Sequence, residues 1–327
     1  MINIKRRIVG IIAIAAISIS CNNDDDFERG NWVESSVFDG IPRSSAASFV
    51  IGNKGYVGTG YDGDDYLQDF WEYDMEGDFW VQKADFPGIR RSAATGLAIG
   101  SMGYIGLGYD GDFELSDFWE YNPTANVWTQ KTDFKGGPRR AAVGFGSSSK
   151  GYVGTGYDGD NDQKDFWVFE PTTNEWTKLE GFGGDKRRDA TTFQIGNKVY
   201  LGTGQSNGLN KTDFWEFDLS SEKWTRKKDL DEDDDYSIAR SNATSFELNG
   251  LGYIATGYNA GAVGSIWEYN PSSDVWEEIT KLEALPRQDA ISFSNGSSAF
   301  VLLGRNGGIY LDDNYQLFPQ EEYNEDD

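Results

Sequence analysis

The sequence contains no histidine, and its only cysteine is Cys21. Histidine is the commonest metal ligand and general base in proteins, and the only side chain whose unperturbed pKa lies near neutrality. Its absence excludes nucleophilic machinery that pairs histidine with serine or cysteine, together with zinc and copper sites that use histidine ligands. A single cysteine cannot form an intramolecular disulfide, so packing alone has to hold the fold together.

Basic residues are also scarce, because 29 Lys and Arg residues stand against 54 Asp and Glu residues, for a formal net charge of −25 at pH 7. A surface of this sign repels nucleic acid and anionic membranes, so we predict no nucleic-acid partner. Cations, neutral glycans and basic protein surfaces remain as partners.

The N-terminal segment has the layout of an export signal. Lys5, Arg6 and Arg7 precede the apolar run IVGIIAIAAISIS, which is too short to span a bilayer, and Cys21 follows it. This arrangement resembles the lipobox of bacterial lipoproteins, which implies a signal peptide over residues 1–20 and a lipid on Cys21; the alternative is an ordinary signal peptide with an incidental thiol. The acidic tether, residues 21–30, begins CNNDDD and resembles a signal for the outside of the outer membrane. We predict an outer-membrane lipoprotein at the cell surface, with the periplasmic face as the alternative.

A repeat organises the remainder of the chain. Each copy carries one tyrosine in the motif GYVGTG or a variant of it, and two tryptophans follow. The tyrosine position holds Tyr56, Tyr104, Tyr152, Tyr200, Tyr253 and Phe300; the first tryptophan position holds Trp71, Trp119, Trp167, Trp215, Trp267 and Tyr315; the second holds Trp80, Trp128, Trp176, Trp224, Trp276 and Trp32. Trp32 stands 48 residues before Trp80, ahead of any other part of a repeat. The chain therefore begins with the last strand of its final unit, which predicts a closed ring without an open sheet edge.

Each unit reads as four short strands. In the second copy they are SAATGLAI, MGYIGLG, SDFWEYN and VWTQK, separated by turn residues. The first strand is rich in small residues and the last two carry the tryptophans, as a wedge-shaped sheet around an axis requires. In DFWEY the phenylalanine and tryptophan point to opposite faces, so aromatic side chains are predicted to fill the spaces between neighbouring sheets.

The order GYVGTGYDG, DFWEYD, tryptophan and then arginine resembles the kelch repeat over residues 31–318. The resemblance implies an all-β, six-bladed β-propeller whose last blade is closed by the strand that contains Trp32; residues 319–327 are predicted to form an acidic tail. Two features depart from the family pattern. Thr59-Gly60 or Leu107-Gly108 stands for the usual glycine pair, and an alanine replaces the histidine often found three residues after the arginine.

Arginines and the YDGD turns are predicted to lie on one face, around the mouth of the central channel, because the connections that carry them both emerge there. The candidate ligand-binding residues are Arg43, Arg91, Arg139, Arg187, Arg240, Arg287, Asp62, Asp64, Asp110, Asp112, Tyr61, Tyr109 and Tyr157. The alternative is that arginine–carboxylate pairs only fix the loops of adjoining blades, with the glycines and aspartates serving the turns. The motif lapses in blades 4 to 6, where Gln205, Asn207, Asn259, Arg305 and Asn306 stand instead. One half of the mouth should therefore be acidic and the other polar or basic.

The sequence contains two further acidic stretches. Asp158, Asp160 and Asp162 alternate in DGDND and suggest a calcium site, although the closing glutamate of an EF-hand loop is missing. The stretch DLDEDDDY at 229–236 lengthens the connection between blades 4 and 5 and is predicted to be a solvated acidic loop.

Copper radical chemistry of the galactose oxidase type is excluded, because it needs histidine ligands and a tyrosine linked to cysteine. We predict a monomeric, lipid-anchored propeller without a required cofactor that binds a glycan or a protein ligand non-catalytically, with the membrane reached only through Cys21. The alternative is a carbohydrate-active enzyme of the six-bladed sialic acid mutarotase type, which needs an acid, a base and an arginine.

Overall fold

The computed structural model of the protein describes residues 29–231 and 237–324. Across these two ranges there is no helix of the length and apolarity needed to cross a membrane. The predicted signal peptide, the lipidation site at Cys21, most of the tether and most of the acidic stretch at 229–236 lie outside the described residues.

The described residues form six four-stranded antiparallel sheets, one per sequence repeat. The first strand of the chain is β1 (Arg29–Glu34). Blade 1 contains β2 (Ala47–Ile51), β3 (Lys54–Gly58), β4 (Phe70–Asp74) and β5 (Phe79–Gln82); blade 2 contains β6 (Thr95–Ile99), β7 (Met102–Gly106), β8 (Phe118–Asn122) and β9 (Val127–Lys131); blade 3 contains β10 (Val143–Gly146), β11 (Gly151–Gly154), β12 (Phe166–Glu170) and β13 (Glu175–Leu179).

The second half of the ring follows the same plan with additions in two connections. Blade 4 contains β14 (Arg188–Ile195), β15 (Lys198–Ser206), β17 (Trp215–Asp218) and β18 (Lys223–Arg226), and the short β16 (Leu209–Asn210) pairs with β15; blade 5 contains β19 (Thr244–Leu248), β20 (Leu251–Ala255), β21 (Ile266–Asn270) and β22 (Val275–Ile279); blade 6 contains β23 (Ile291–Ser294), β24 (Ala299–Leu302) and β27 (Asn314–Glu322), with β1 as its fourth strand and the hairpin β25 (Arg305–Asn306) and β26 (Ile309–Tyr310) in between. The four strands predicted in the second copy are thus confirmed.

The innermost strands of neighbouring blades contact one another in a closed cycle, from β2 through β6, β10, β14, β19 and β23 back to β2. The all-β, six-bladed propeller predicted from the repeats is therefore confirmed. Aromatic side chains fill the space between blades: the ring of Phe70 in blade 1 meets Trp128 of blade 2 at 4.9 Å, and Phe118 of blade 2 meets Trp176 of blade 3 at 5.1 Å. Such edge-to-face pairs add to the free energy gained by burying the rings.

The N-terminal strand closes the ring as predicted. Strand β1 pairs with β27 in antiparallel register, with Trp32 opposite Leu317, and the Trp32 side chain is fully buried between blades 5 and 6. Arg29 reinforces the closure, because its guanidinium donates two hydrogen bonds, of 3.0 and 2.9 Å, to the buried Glu268 of blade 5. Two predicted boundaries need correction: the propeller starts at Arg29 rather than 31 and ends at Glu322 rather than 318, since Arg29 and Glu322 still pair in the ladder.

Replacing Trp32 by alanine should weaken the closure specifically. Removal of a fully buried tryptophan leaves a cavity between blades 5 and 6, so Trp32→Ala should lower the free energy of unfolding by about 3–5 kcal/mol in chemical denaturation. Val275→Ala, on the outer strand of blade 5 and 42% exposed, is the matched control and should change stability by under about 0.5 kcal/mol. Equal effects from the two variants would show that β1 does not hold the ring closed.

Candidate functional site

Each blade has one arginine just before its innermost strand, and all six are buried, with at most 1% of the residue exposed. The geometry of Arg43 is representative. Its Nη1 and Nη2 donate to the two carboxylate oxygens of Asp69 at 2.6 Å each, and Nη1 also donates to the carbonyl of Thr59 at 3.0 Å. Burial alone would raise the pKa of Asp69, but the hydrogen bonds and charge of Arg43 outweigh it and hold the pKa below its usual value. The same pairing joins Arg91 to Asp117, Arg139 to Asp165, Arg187 to Asp213 and Arg287 to Asp313.

The departure from the family's glycine pair takes part in this arrangement. Thr59 has a φ of 62°, in the left-handed region, and its carbonyl thereby faces Arg43. The equivalent residues adopt the same conformation and each accepts a hydrogen bond from its arginine: Leu107, Thr155, Thr203, Thr256 and Leu303. This conformation costs a residue with a Cβ about 1 kcal/mol, so the arginine contacts have to hold it in place.

Blade 5 lacks the carboxylate partner. Ser265 stands where the other blades have aspartate, and Arg240 donates instead to Ser265 Oγ at 2.9 Å and to four carbonyl oxygens, which belong to Ser237, Ile238, Thr256 and Ser265. Burial of this guanidinium lowers its pKa to about 10, and the charge of Glu278 opposes that shift only in part.

These contacts bear on the residues proposed from sequence as ligand anchors. The six arginines bind carbonyl and carboxylate groups that fix the loops, as the alternative interpretation expected. Contact between these arginines and a ligand stays a prediction. The hydroxyls of Tyr61, Tyr109 and Tyr157 donate to glycine carbonyls of their own loops, at 2.6 Å each. The first aspartate of the turn, as in Asp62 and Asp110, accepts backbone N–H bonds from its own turn, whereas the next, Asp64 and Asp112, is exposed.

The calcium site predicted at Asp158, Asp160 and Asp162 is not formed. Asp158 caps its own turn, Asp160 points to solvent, and the buried Asp162 pairs with Arg188 at 3.3 Å. The loop turns Asp162 inward, so the three carboxylates do not converge. Nowhere in the two described ranges do three His, Cys, Asp or Glu side chains gather to hold a metal ion.

The channel mouth is framed by a closed ring of backbone hydrogen bonds between blades. Each of six residues donates its N–H to the carbonyl of the equivalent residue in the preceding blade, at 2.8 to 3.2 Å, and Ser45 closes the ring by donating to Asp289. All six have positive φ and line the mouth: Ser45, Ala93, Ala141, Asp189, Asn242 and Asp289. Blades 1 to 3 thus present small side chains at the mouth, whereas blades 4 to 6 present two carboxylates and an amide.

The polar half of the mouth opens into a cavity of ≈ 640 Å³ over blades 4 to 6, called here the mouth pocket. It is lined by Asp189, Gln205, Asn242, Tyr258, Gly261, Ala262, Gln288, Arg305, Asn306 and Gly307. Gln205, Tyr258, Arg305 and Asn306 occupy positions in or beside the lapsed YDGD turns. The lapse of the motif therefore coincides with the pocket. Tyr258 is 42% exposed, and no described residue accepts a hydrogen bond from its hydroxyl, unlike in the loop-bound tyrosines of blades 1 to 3.

Two carboxylates of the mouth differ in their surroundings. Asp289 accepts hydrogen bonds from Asn242 at 2.6 Å, Gln288 at 2.9 Å and Arg305 at 3.0 Å. Asp189 accepts one, from Gln205 at 3.2 Å to its Oδ2, and lies 3.6 Å from the Arg188 guanidinium. Burial and the charge of Asp289 raise the pKa of Asp189 to about 6.

A raised carboxyl pKa has a cost in stability. Because the pKa of Asp189 is higher in the folded than in the unfolded chain, this group destabilises the fold increasingly as the pH rises from about 4 to about 6. In a chain without histidine, the raised pKa of Asp189 brings the titration of a carboxyl group at the mouth closer to neutrality. Such groups concentrate at functional sites.

An arc of aromatic rings and guanidiniums borders the rest of the mouth. Tyr310 contacts Tyr61, and Tyr66 contacts both Tyr61 and Tyr109, with centroids 5.0 to 6.1 Å apart. The arc continues as Arg140 stacks between Tyr109 and Tyr157, and Arg188 stacks on Tyr157 at 4.6 Å. These contacts join the rim of blade 6 to the rim of blades 1 to 4.

The sequence analysis did not single out Asp189, Asn242 or Asp289, the polar residues at the floor of the mouth. It singled out Arg139 and Arg187, whereas their neighbours Arg140 and Arg188 reach the mouth. The detectable signals were the doubled RR and the position two residues after each repeated arginine, which changes from serine or alanine to aspartate or asparagine in blades 4 to 6.

A second cavity, of ≈ 530 Å³, lies at the opposite end of the channel. Its walls are core phenylalanines and glycines such as Phe49, Phe145 and Gly96, where a Cβ on Gly96 would come within 2.4 Å of the Ser48 carbonyl. Packing between blades explains these residues, so the mouth pocket is the stronger candidate site.

Comparison with known proteins supports the repeat assignment. A sequence model of the KLHDC2/KLHL20/DRC7 Kelch-repeats domain matches residues 137–304, just over half of the 327 residues. Among curated proteins no match was found. A solved structure described as the structure of YjhT is similar, with a TM-score of 0.73 at 17% sequence identity, covering 88% of this chain and 99% of that chain. At this identity the likeness shows a shared fold and carries no information about ligands.

Two arginine variants should separate pairing from ligand contact. Arg287→Ala leaves Asp313 without its partner in a partly buried site and should lower the free energy of unfolding by about 3–5 kcal/mol. Among the described residues Arg240→Ala leaves no carboxylate unpaired, so this variant should cost less. The comparison uses chemical denaturation; an Arg287→Ala protein of unchanged stability would contradict a structural role for the pairs.

Proposed function

The chain belongs to the kelch-repeat family, and from this we propose that it is a propeller that binds a glycan, without converting it, in the mouth pocket over blades 4 to 6. The observation that carries the proposal is the lining of that pocket. Polar side chains cover its floor and one exposed aromatic ring stands at its edge.

The chemistry of the lining suits a sugar. Amide, carboxylate and guanidinium groups from Gln205, Asn242, Asp189 and Arg305 offer both donors and acceptors to hydroxyl groups. The ring of Tyr258 offers a flat apolar surface for the C–H face of a sugar ring. A volume of ≈ 640 Å³ lies within the range of small-ligand sites.

A lipid anchor on Cys21 fits this arrangement, and we propose the surface of the outer membrane as the location. Strand β1 ends at Glu34 and leads through residues 35–46 to the mouth face, so its Arg29 end lies at the opposite face. A tether that enters at Arg29 would leave the mouth pocket pointing away from the membrane, toward extracellular glycans.

A catalytic alternative of the sialic acid mutarotase type is favoured by one observation. Asp189, with a pKa raised to about 6, lies 3.6 Å from the Arg188 guanidinium at the pocket floor. Interconversion of sugar anomers requires a group that removes the proton from the anomeric hydroxyl while the ring oxygen is protonated. A carboxyl group that titrates near neutrality can serve in such proton transfers.

Glycan binding should depend on Tyr258. Screening the purified full chain on a glycan array is expected to give hits, and Tyr258→Ala should weaken binding of a hit about tenfold, because a stacked ring contributes about 1–1.5 kcal/mol. Phe113→Ala is the matched control, since Phe113 is 71% exposed on the equivalent loop of blade 2, outside the pocket. An array without any hit would contradict the proposal and favour a protein ligand.

Catalysis is tested by following the anomers of N-acetylneuraminic acid by NMR after release of a single anomer. The binding proposal predicts the uncatalysed rate. If the catalytic alternative holds, interconversion is fast and Asp189→Asn reduces it at least about a hundredfold, as expected for loss of an acid–base group. Fast interconversion by the unaltered chain would overturn the non-catalytic proposal.

A further inference from the structure

We infer that the mouth pocket prefers a sugar bearing an ammonium group over its neutral and acidic counterparts, because the carboxylate of Asp189 at the pocket floor shares its guanidinium partner with Asp162 and has one oxygen to which no described residue donates a hydrogen bond. The inference rests on the proposed function, since it names the chemical class of the ligand for the same site.

Around the pocket floor carboxylates outnumber guanidiniums. Arg305 lines the mouth pocket, and Arg188 and Arg140 act on the charge of Asp189 from beside it. Each of the three guanidiniums is engaged by a carboxylate: Arg305 with Asp289 at 3.0 Å, Arg188 with Asp162 at 3.3 Å, and Arg140 with Glu114 at 3.0 Å. Asp189 is the fourth carboxylate and shares Arg188 only at 3.6 Å. One negative charge at the floor is therefore left without a partner of its own.

A further feature of the floor is its acceptor atoms. No described residue donates a hydrogen bond to Asp189 Oδ1, because Gln205 donates to Oδ2. Asn242 directs its amide Nδ2 toward Asp289, and no described residue donates to its Oδ1. The floor thus presents free acceptors beside a negative charge. An ammonium group, with three donors and a positive charge, satisfies both.

An acidic ligand is a poorer match for the floor. A ligand carboxylate would have to share a guanidinium, because those of Arg188 and Arg305 already pair with protein carboxylates. It would also approach Asp189 and Asp289, two like charges in a partly buried site. The formal net charge of −25 acts in the same direction at long range.

The preference should depend on pH through Asp189. The groups that act on its carboxyl are Asp289, Gln205, Arg188 and Arg140. Below its pKa of about 6, Asp189 is neutral and attracts an ammonium group less, so affinity for an amine should rise between pH 5 and pH 7. For a carboxylate ligand the same titration predicts falling affinity over that interval.

A series of three monosaccharides tests the inference on the purified full chain. Glucose, 6-amino-6-deoxyglucose and glucuronic acid share one ring and differ in the charge at carbon 6, and the amine stays protonated throughout the pH range used. Binding is measured by ligand-observed NMR titration from pH 5 to pH 7.5. We expect the amine to bind about tenfold more tightly than glucose at pH 7, the worth of one close ion pair, and glucuronic acid to bind most weakly.

Two variants with the same charge change separate a local from a general effect. Asp189→Asn should remove the preference for the amine and its pH dependence. Asp85→Asn, on the exposed connection between blades 1 and 2, should leave both unchanged. Equal effects from the two variants would contradict a role for the pocket floor.

Failure of the amine preference can be distinguished from failure of glycan binding itself. Binding of glucose equal to or tighter than that of the amine, or a preference for glucuronic acid, overturns the inference and leaves glycan binding intact. Absence of binding by all three sugars together with an empty glycan array overturns both.

Discussion

The buried arginine of each blade is the contact on which the rest of the molecule depends. It spans the start of the innermost strand, the left-handed residue that ends the second strand and the aspartate before the third. A guanidinium that is removed from water needs this complete set of acceptors, and breaking one side leaves an unpaired charge. The pair therefore fixes the loops of the mouth face, and Arg240 shows that hydrogen bonds to carbonyls can replace the carboxylate at the cost of a lowered pKa.

Because the arginine anchors the backbone, the side chain two residues after it is not needed to hold the fold. The backbones at this position form the inter-blade hydrogen-bond ring, while the side chains are free to vary around the channel. Blades 1 to 3 use that freedom for small residues beneath an arc of tyrosines. Blades 4 to 6 use it for Asp189, Asn242 and Asp289, which together create a polar floor. A scaffold of near-identical units can in this way carry an asymmetric site.

The proposed glycan binding and the inferred preference for an amine both depend on the charge balance at the pocket floor. Asp289 is satisfied by three donors, whereas Asp189 has one oxygen to which no described residue donates and destabilises the fold at neutral pH. A ligand with a positive group would remove that penalty, which couples binding to stability and to pH. Proton transfer by Asp189, which the catalytic alternative requires, is independent of its attraction for a positive ligand.

The sequence by itself determined the architecture, since the spacing of tyrosine, tryptophan and arginine specifies six equal units and Trp32 specifies their closure. Periodicity suffices there because each blade repeats the same local packing. The candidate site was decided by the tertiary structure. The repeated Arg43 and its equivalents attracted attention as ligand anchors, but direction and burial are not encoded in spacing, and the fold turns them into the protein. Asp189 and Asp289 lie 100 residues apart, and only closure of the ring brings them to one floor, where each alters the charge balance of the other.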